Sequence, residues 1–460
     1  MDSVRNLGRL GLAALALFVV ASCGSPATPK PVVVVVSGTE TPLPQVTALA
    51  GVATPVWPTV LPSKTEPAPG STTASKATAA PKATAAAGAT AIPFYGPDTY
   101  PDNVNPLTGQ VVDPAKLNRM PVAVKISNFP YVVRPQYGLG LADIVFEHLA
   151  EQGLTRFTAI FLQNDAAKAG SVRSARYIDT EIEPMFDALL VTSGSSLGTM
   201  THLKSNPWFA GENIWRLISE STHYNTCPPL CRETPDDTNT LFTSTDGARS
   251  SAGHDANQRV DLRGLAFTLA VPANGKPLTD VEETFSAAAH VSWRYNASSG
   301  RYDRWQDKDQ SGQIVAHFDA LTNQPISAAN VVLLNVNHQN NFVPEDFQQG
   351  GTCGLEIQLW LSGPAHLFRD GQMFEGVWKR DQTTGMHLQL QDAAGQVIPL
   401  KPGNTWIGII TLYASSALNN QTFTVINKVP DTRSICPIPP TETPTITPEG
   451  WVAPTETPTP

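Results

Sequence analysis

Among the charged residues between positions 134 and 176, four arginines (Arg134, Arg156, Arg173 and Arg176) and three acids (Asp143, Glu147 and Glu151) have the types that build an anion site. A guanidinium presents a planar fork of N–H donors that matches a phosphate or carboxylate in two-point contact, and a neighbouring acid can hold the fork in place. Arg173 and Arg176 stand three residues apart in Ala169-Gly170-Ser171-Val172-Arg173-Ser174-Ala175-Arg176-Tyr177, at what the pattern predicts to be a helix entrance. Cations are unfavourable at a helix N-terminus without an anion, because the macrodipole and the free N–H groups there are already positive. The anion is either an external ligand or an internal carboxylate. Four arginines outnumber three acids, which favours a ligand for at least one of Arg173 and Arg176, with Ser174 between them in the same candidate site.

Gly194-Ser195-Ser196-Leu197-Gly198 fits Gly-x-Ser-x-Gly directly after a predicted strand, the context of a nucleophile elbow. No glycine-rich oxyanion segment lies near an earlier strand, and no histidine is singled out as a base. The blander reading is a strand-ending loop that lines the same cleft, with Ser196 as a candidate contact. The nine histidines form neither His-x-His nor His-Glu-x-x-His, so no metal and no other cofactor is expected. A net charge of −9 argues against nucleic acid as a partner, and any anion site must therefore be local.

The elements that must position these residues come in a mixed order. Pro121 to Asn128 alternates Val122, Val124 and Ile126 against Ala123, Lys125 and Ser127, the period of a half-buried strand. Ala142 to Glu147 and Thr155 to Gln163 are the next strands, followed by a helix carrying Ile178, Ile182, Met185 and Phe186 and limited or bent by Pro184. Ala188 to Thr192 returns as a strand. This order predicts an α/β (α+β) N-terminal domain with a mixed sheet over 94–257. Residues 258–436 read as a β-rich second domain of short alternating runs, with Asp370-Gly371 as a hairpin turn. Tryptophans there, among them Trp293, Trp305, Trp360, Trp378 and Trp406, fall at strand positions as core, and one left exposed would stack on a glycan.

Both ends differ from this body. Arg5 and Arg9 precede the apolar run Leu10 to Val20 and then Val20-Ala21-Ser22-Cys23, so 1–23 reads as a signal peptide ending in a lipobox, with lipid on Cys23. Residues 24–93 are a Pro/Thr/Ala-rich disordered tether in which only Val32 to Val36 could pair as a strand, and 437–460 are a Thr/Pro-rich disordered tail. Removing Cys23 leaves Cys227, Cys231, Cys353 and Cys436, an even number that suits two disulfides in an exported chain. Three pairings are possible, of which Cys227–Cys231 and Cys353–Cys436 are favoured.

Asn105-Pro106-Leu107-Thr108-Gly109, Arg134-Pro135-Gln136, Ala142-Asp143-Ile144-Val145-Phe146-Glu147, Thr155-Arg156-Phe157 and Val172-Arg173-Ser174-Ala175-Arg176 together resemble the YerB-like bacterial lipoprotein family. Phe368-Arg369-Asp370-Gly371, Gly376-Val377-Trp378 and Gly403-Asn404-Thr405-Trp406-Ile407 extend the resemblance to about residue 435. It implies N- and C-terminal domains of unknown function and a location on the outer face of the bacterial cell membrane, and it brings no reaction with it. In outline the arginine region is also similar to the LytR-CpsA-Psr type, which holds lipid-linked pyrophosphate.

The leading expectation is therefore a lipid-anchored, non-enzymatic protein that binds an anionic cell-wall glycan or another envelope ligand. The alternatives are an envelope transferase or hydrolase acting on a phosphorylated or lipid-linked glycan, and a structural module that docks an envelope protein partner. Anchoring is tested directly: Cys23→Ser should move the protein from the membrane to the soluble fraction on cell fractionation.

Overall fold

The computed structural model describes residues 92–430 and Cys436, apart from 221, 224–225, 347–351 and 382–386. The signal peptide, Cys23, the Val32 to Val36 run, all but the last two residues of the tether and the whole of the tail lie outside the described residues.

The N-terminal half contributes β1 (Val122–Ser127), β2 (Ile144–Leu149), β3 (Thr155–Phe161), α1 (Asp179–Met185), β4 (Leu189–Val191), α2 (Leu197–Ser205), β5 (Leu217–Ile218) and α3 (Thr245–Ala252). The C-terminal half begins with β6 (Lys276–Pro277), β7 (Asp280–Ser286), β8 (Ala289–Asn296), β9 (Arg301–Asp307) and β10 (Ile314–Ala316). It continues with β11 (Asn330–Val336), β12 (His338–Asp346), β13 (Thr352–Ile357), β14 (Leu361–Arg369), β15 (Gln372–Arg380), β16 (Thr405–Thr411), β17 (Ser415–Asn419) and β18 (Thr422–Ile426). The α+β first half and the β-rich second half are as the sequence predicts.

The two halves share one sheet. Its order is β6-β15-β14-β11-β16-β2-β3-β1-β4-β5, with Gln389–Gln391 added beside β15. The join is β16, which runs parallel to β11 on one side and to β2 on the other. A smaller sheet, β10-β9-β8-β7-β18-β17, belongs entirely to the second half. Between β14 and β15 the turn is Asp370-Gly371, both with positive φ, as a two-residue hairpin requires.

Expected half-buried, β1 is buried along all six residues. The reason is that the central sheet is covered on both faces. Trp406 of β16 meets Phe157 of β3 and Trp293 of β8 edge-on, with ring centroids 5.4 and 5.3 Å apart, so the smaller sheet packs on that face. On the other face Phe146 of β2 packs on Phe186, which ends α1. Lys125, on β1, is consequently fully buried; its ammonium pairs with Asp179 and reaches Thr158 Oγ1 at 2.8 Å and His148 Nε2 at 2.9 Å.

Glu147 faces the smaller sheet. It is fully buried and pairs with the equally buried Arg304 of β9 at 2.7 Å, while Trp406 Nε1 donates to the same carboxylate at 3.1 Å. Arg304 also binds Gln306 Oε1 at 2.8 Å and His317 Nδ1 at 2.7 Å, and His317 reaches Gln136 at 2.7 Å. Burial, with the Glu147 charge nearby, pushes the neighbouring carboxyl of Glu283 well above the ordinary range. One guanidinium therefore balances a buried acidic pair between the sheets. Arg304→Met should cost about 3–5 kcal/mol, because it strands Glu147 without a counter-charge, and this would be read as a lower urea midpoint at unchanged slope.

Candidate functional site

Arg173 and Arg176 do not enter a helix. The first helical residue is Asp179, Tyr177 and Ile178 turn into it, and Val172 is bridged to Ile126 of β1. The cause lies in β1: its parallel neighbour β4 covers only Val122 to Val124, so the backbone of Lys125 to Ser127 needs another partner. The arginine stretch supplies it, with Ser127 N donating to Ser171 O at 2.9 Å and Arg173 N donating to Lys125 O at 2.9 Å. Ala175 N then donates to Gly194 O at 2.8 Å, tying the stretch to the Gly/Ser loop. The dipole argument for an anion thus falls away, and the case for a site rests on the side chains.

Strand register decides which side chains meet. Glu147 of β2 lies opposite Phe157, whereas Arg156 lies opposite His148, and alternate residues point to opposite faces. Glu147 therefore turns to the smaller sheet and Arg156 to the side of the arginine stretch. Asp143 precedes β2 at its far end, where it accepts from Leu162 N at 2.7 Å and Asn105 Nδ2 at 2.7 Å; burial raises its carboxyl to about 6. Arg134 is drawn away to Asp307 of β9 at 3.0 Å and to the Asn128 carbonyl at 3.0 Å. Asp143, Glu147 and Arg134 thus have their partners elsewhere, and none of them joins the arginine stretch.

What does come together is a cavity of about 330 Å³ whose lining includes Glu151, Arg156, Arg173, Arg176, Glu345 and Thr352. Glu345 and Thr352 arrive from the β12–β13 hairpin, nearly two hundred residues along the chain. Arg176 is paired: its Nε holds Glu151 at 2.6 Å, its Nη1 donates to the Ala175 carbonyl at 2.8 Å, and Glu345 stands 3.9 Å away. Burial would lower its guanidinium, but Glu151 and Glu345 outweigh that and raise it. Glu151 responds in the opposite sense, held below the usual carboxylate range by Arg176 and Arg156 against the effect of burial.

Arg156 is different. Its side chain donates to the Ser174 carbonyl and, among the described residues, makes no ion pair. Burial, reinforced by the Arg176 charge, pushes it down to about 9, which leaves it cationic at neutral pH but poorly compensated. Arg173 is likewise without an ion pair among the described residues; it makes one long bond, 3.4 Å, to the Thr238 carbonyl and is lowered by burial and by Arg176. Glu345, the remaining acid, is raised by burial. Three guanidinium groups thus face two carboxyls, one of them shifted towards its neutral form.

Ser174 Oγ lies 3.4 Å from Ser193 Oγ and its carbonyl serves Arg156. Ser196 is the N-cap of α2, accepting from Thr199 N at 3.2 Å. It is a capping serine at the cavity's edge, with no histidine hydrogen-bonded to it among the described residues. Glu345 and Thr352 were not legible in the sequence, because nothing local links 345 or 352 to 156. The Glu345 signal available, an acid inside a polar β-hairpin, is shared by any solvated strand. The disulfides Cys227–Cys231 and Cys353–Cys436 are both present, with Cα atoms 4.7 and 4.9 Å apart. The second ties the hairpin at the residue after Thr352.

Residues 107–256 match the N-terminal domain, and residues 281–407 the C-terminal domain, of the family described as protein of unknown function DUF3048. The chain belongs to that family. It is 30% identical over 325 residues to the Bacillus subtilis (strain 168) protein named "Putative lipoprotein YerB", across 68% of this chain and 88% of the relative. The crystal structure of YerB from Bacillus subtilis superposes with a TM-score of 0.54 at 28% identity, covering 67% of this chain and 96% of that one.

The two arginines should behave oppositely on substitution. Arg176→Ala leaves Glu151 buried and without its ion pair and should cost about 3–5 kcal/mol, whereas Arg156→Met removes a half-buried charge that has no ion pair among the described residues and should leave the melting temperature unchanged or higher. Calorimetric melting of both variants checks this; a large loss with Arg156→Met would make that residue a structural one.

Proposed function

We propose that this protein is a membrane-anchored extracytoplasmic lipoprotein that binds an anionic component of the cell envelope, with Arg156 and Arg173 as the receiving groups. The observation that carries the reading is Arg156, a half-buried cation that lines a cavity and has no ion pair among the described residues. A charge of this kind is costly on its own, and an anion in the cavity relieves it. Support for the address comes from Cys23 behind small residues and from the name borne by the Bacillus subtilis relative.

A second reading, an envelope transferase or hydrolase working on a phosphorylated or lipid-linked glycan, draws on Glu345. A carboxyl raised by burial beside cationic groups is what a general acid needs. Ser196, committed to its cap, offers no support for a serine nucleophile.

Sulfate is a suitable probe because its charge is constant across the working range. Titration calorimetry should show binding by the full chain, weakened at least ten-fold in Arg156→Met; equal affinity in that variant would sink the reading. The pH dependence has a definite sign. Glu345 is raised in the fold, so it is protonated at low pH and ionises above its ordinary value of 4.5. Its charge then repels the ligand, and sulfate affinity should fall as pH rises through that ionisation. Glu345→Gln should flatten the profile.

A further inference from the structure

The cavity offers acceptors as well as cations. Glu151 Oε1 and Glu345 Oε2 are both buried and without a hydrogen-bond partner among the described residues. Each carboxyl spends its other oxygen elsewhere, Glu151 Oε2 on Arg176 at 2.6 Å and Glu345 Oε1 on the Thr199 hydroxyl. A buried acceptor left without a donor is unfavourable, and two of them in one cavity wall point to a ligand that brings protons. Sulfate has none to give, so it would satisfy the arginines and leave both acids as they are.

Size points the same way. About 330 Å³ is on the order of ten water volumes at roughly 30 Å³ each, more than one tetrahedral oxyanion fills. Gln152 lines this cavity and also a neighbouring one of about 550 Å³. The charge of the donor follows from the state of the acids. Glu151 is already paired with Arg176 at 2.6 Å, and Glu345 Oε2 stands 3.9 Å from the same guanidinium, so neither needs a second cation. Neutral hydroxyl groups fit where an ammonium group would not.

We propose that the ligand of this cavity is a phosphorylated polyol or sugar, its phosphate held by Arg156 and Arg173 and its hydroxyl groups donating to Glu151 and Glu345. The proposal rests on the anion-binding reading above and adds a ligand class to it. Polyol and sugar phosphates share this chemistry, and the comparison between them separates the two sources.

The test is titration calorimetry of the full chain with glycerol phosphate, glucose 1-phosphate, methyl phosphate and phosphoethanolamine. At least one of the two hydroxylated phosphates should bind ten-fold or more tighter than methyl phosphate, and the tighter of the two identifies the source. Glu345→Gln and Glu345→Ala should each shrink that ratio towards one, with melting curves confirming that both variants fold. Equal affinity for methyl phosphate and both hydroxylated ligands would overturn the hydroxyl assignment while leaving anion binding intact. Tighter binding of phosphoethanolamine than of either hydroxylated ligand would overturn it in favour of an ammonium. Failure of all four to bind would overturn both readings together.

Discussion

Glu147 occupies a place where a carboxylate persists only if a cation comes to it. It lies on a central strand, faces a second sheet and has no route to water, so Arg304 of β9 must reach it and Trp406 of β16 must complete its hydrogen bonds. These three residues come from three distant parts of the chain. A carboxylate on β2 thus dictates the approach of the smaller sheet and the placement of β16 beside β2. An apolar side chain at 147 would tolerate several packings, whereas a buried acid needs its counter-charge and donors in place.

The same constraint explains how the cavity comes to have surplus cations. With Glu147 and Asp143 committed elsewhere, the acid of the N-terminal half that is ion-paired with the arginine stretch, among the described residues, is Glu151, and Arg176 holds it. The β12–β13 hairpin then contributes Glu345, whose carboxyl burial raises. Arg156 is left as a cation that the fold does not balance. Such a group lowers stability, and its presence marks a place where a second molecule does what the fold does not.

Much of the frame was legible. Alternation placed β1 and β3 within a residue or two, the Asp-Gly turn located the β14–β15 hairpin, and cysteine parity suggested both disulfides. The misreadings share one cause. Grouping Arg134, Asp143 and Glu147 with the arginine stretch treated sequence proximity as spatial proximity, whereas strand parity separates Glu147 from Arg156 and strand length separates Asp143 from it. The helix entrance was misplaced because β4 is only three residues long, a tertiary fact that leaves Lys125 to Ser127 seeking backbone partners. Lys125 read as a solvent-facing residue for a related reason: alternation shows one apolar face and is silent about a second layer on the other.

The position of β16 has a temporal meaning. It lies mid-sheet between β11 and β2, yet it spans Thr405–Thr411, close to the end of the folded region. During synthesis β2 and β3 can pair early, but β2 keeps an open edge until some 260 further residues have been made. Only then does the central seam close, and the sheet's interior passes from two unfinished ribbons to one. Long-range strand pairing of this kind is slow to form. The nascent chain therefore stays in an unlocked state for most of its length, the form in which a polypeptide can still be threaded, and locks only when its last strands arrive.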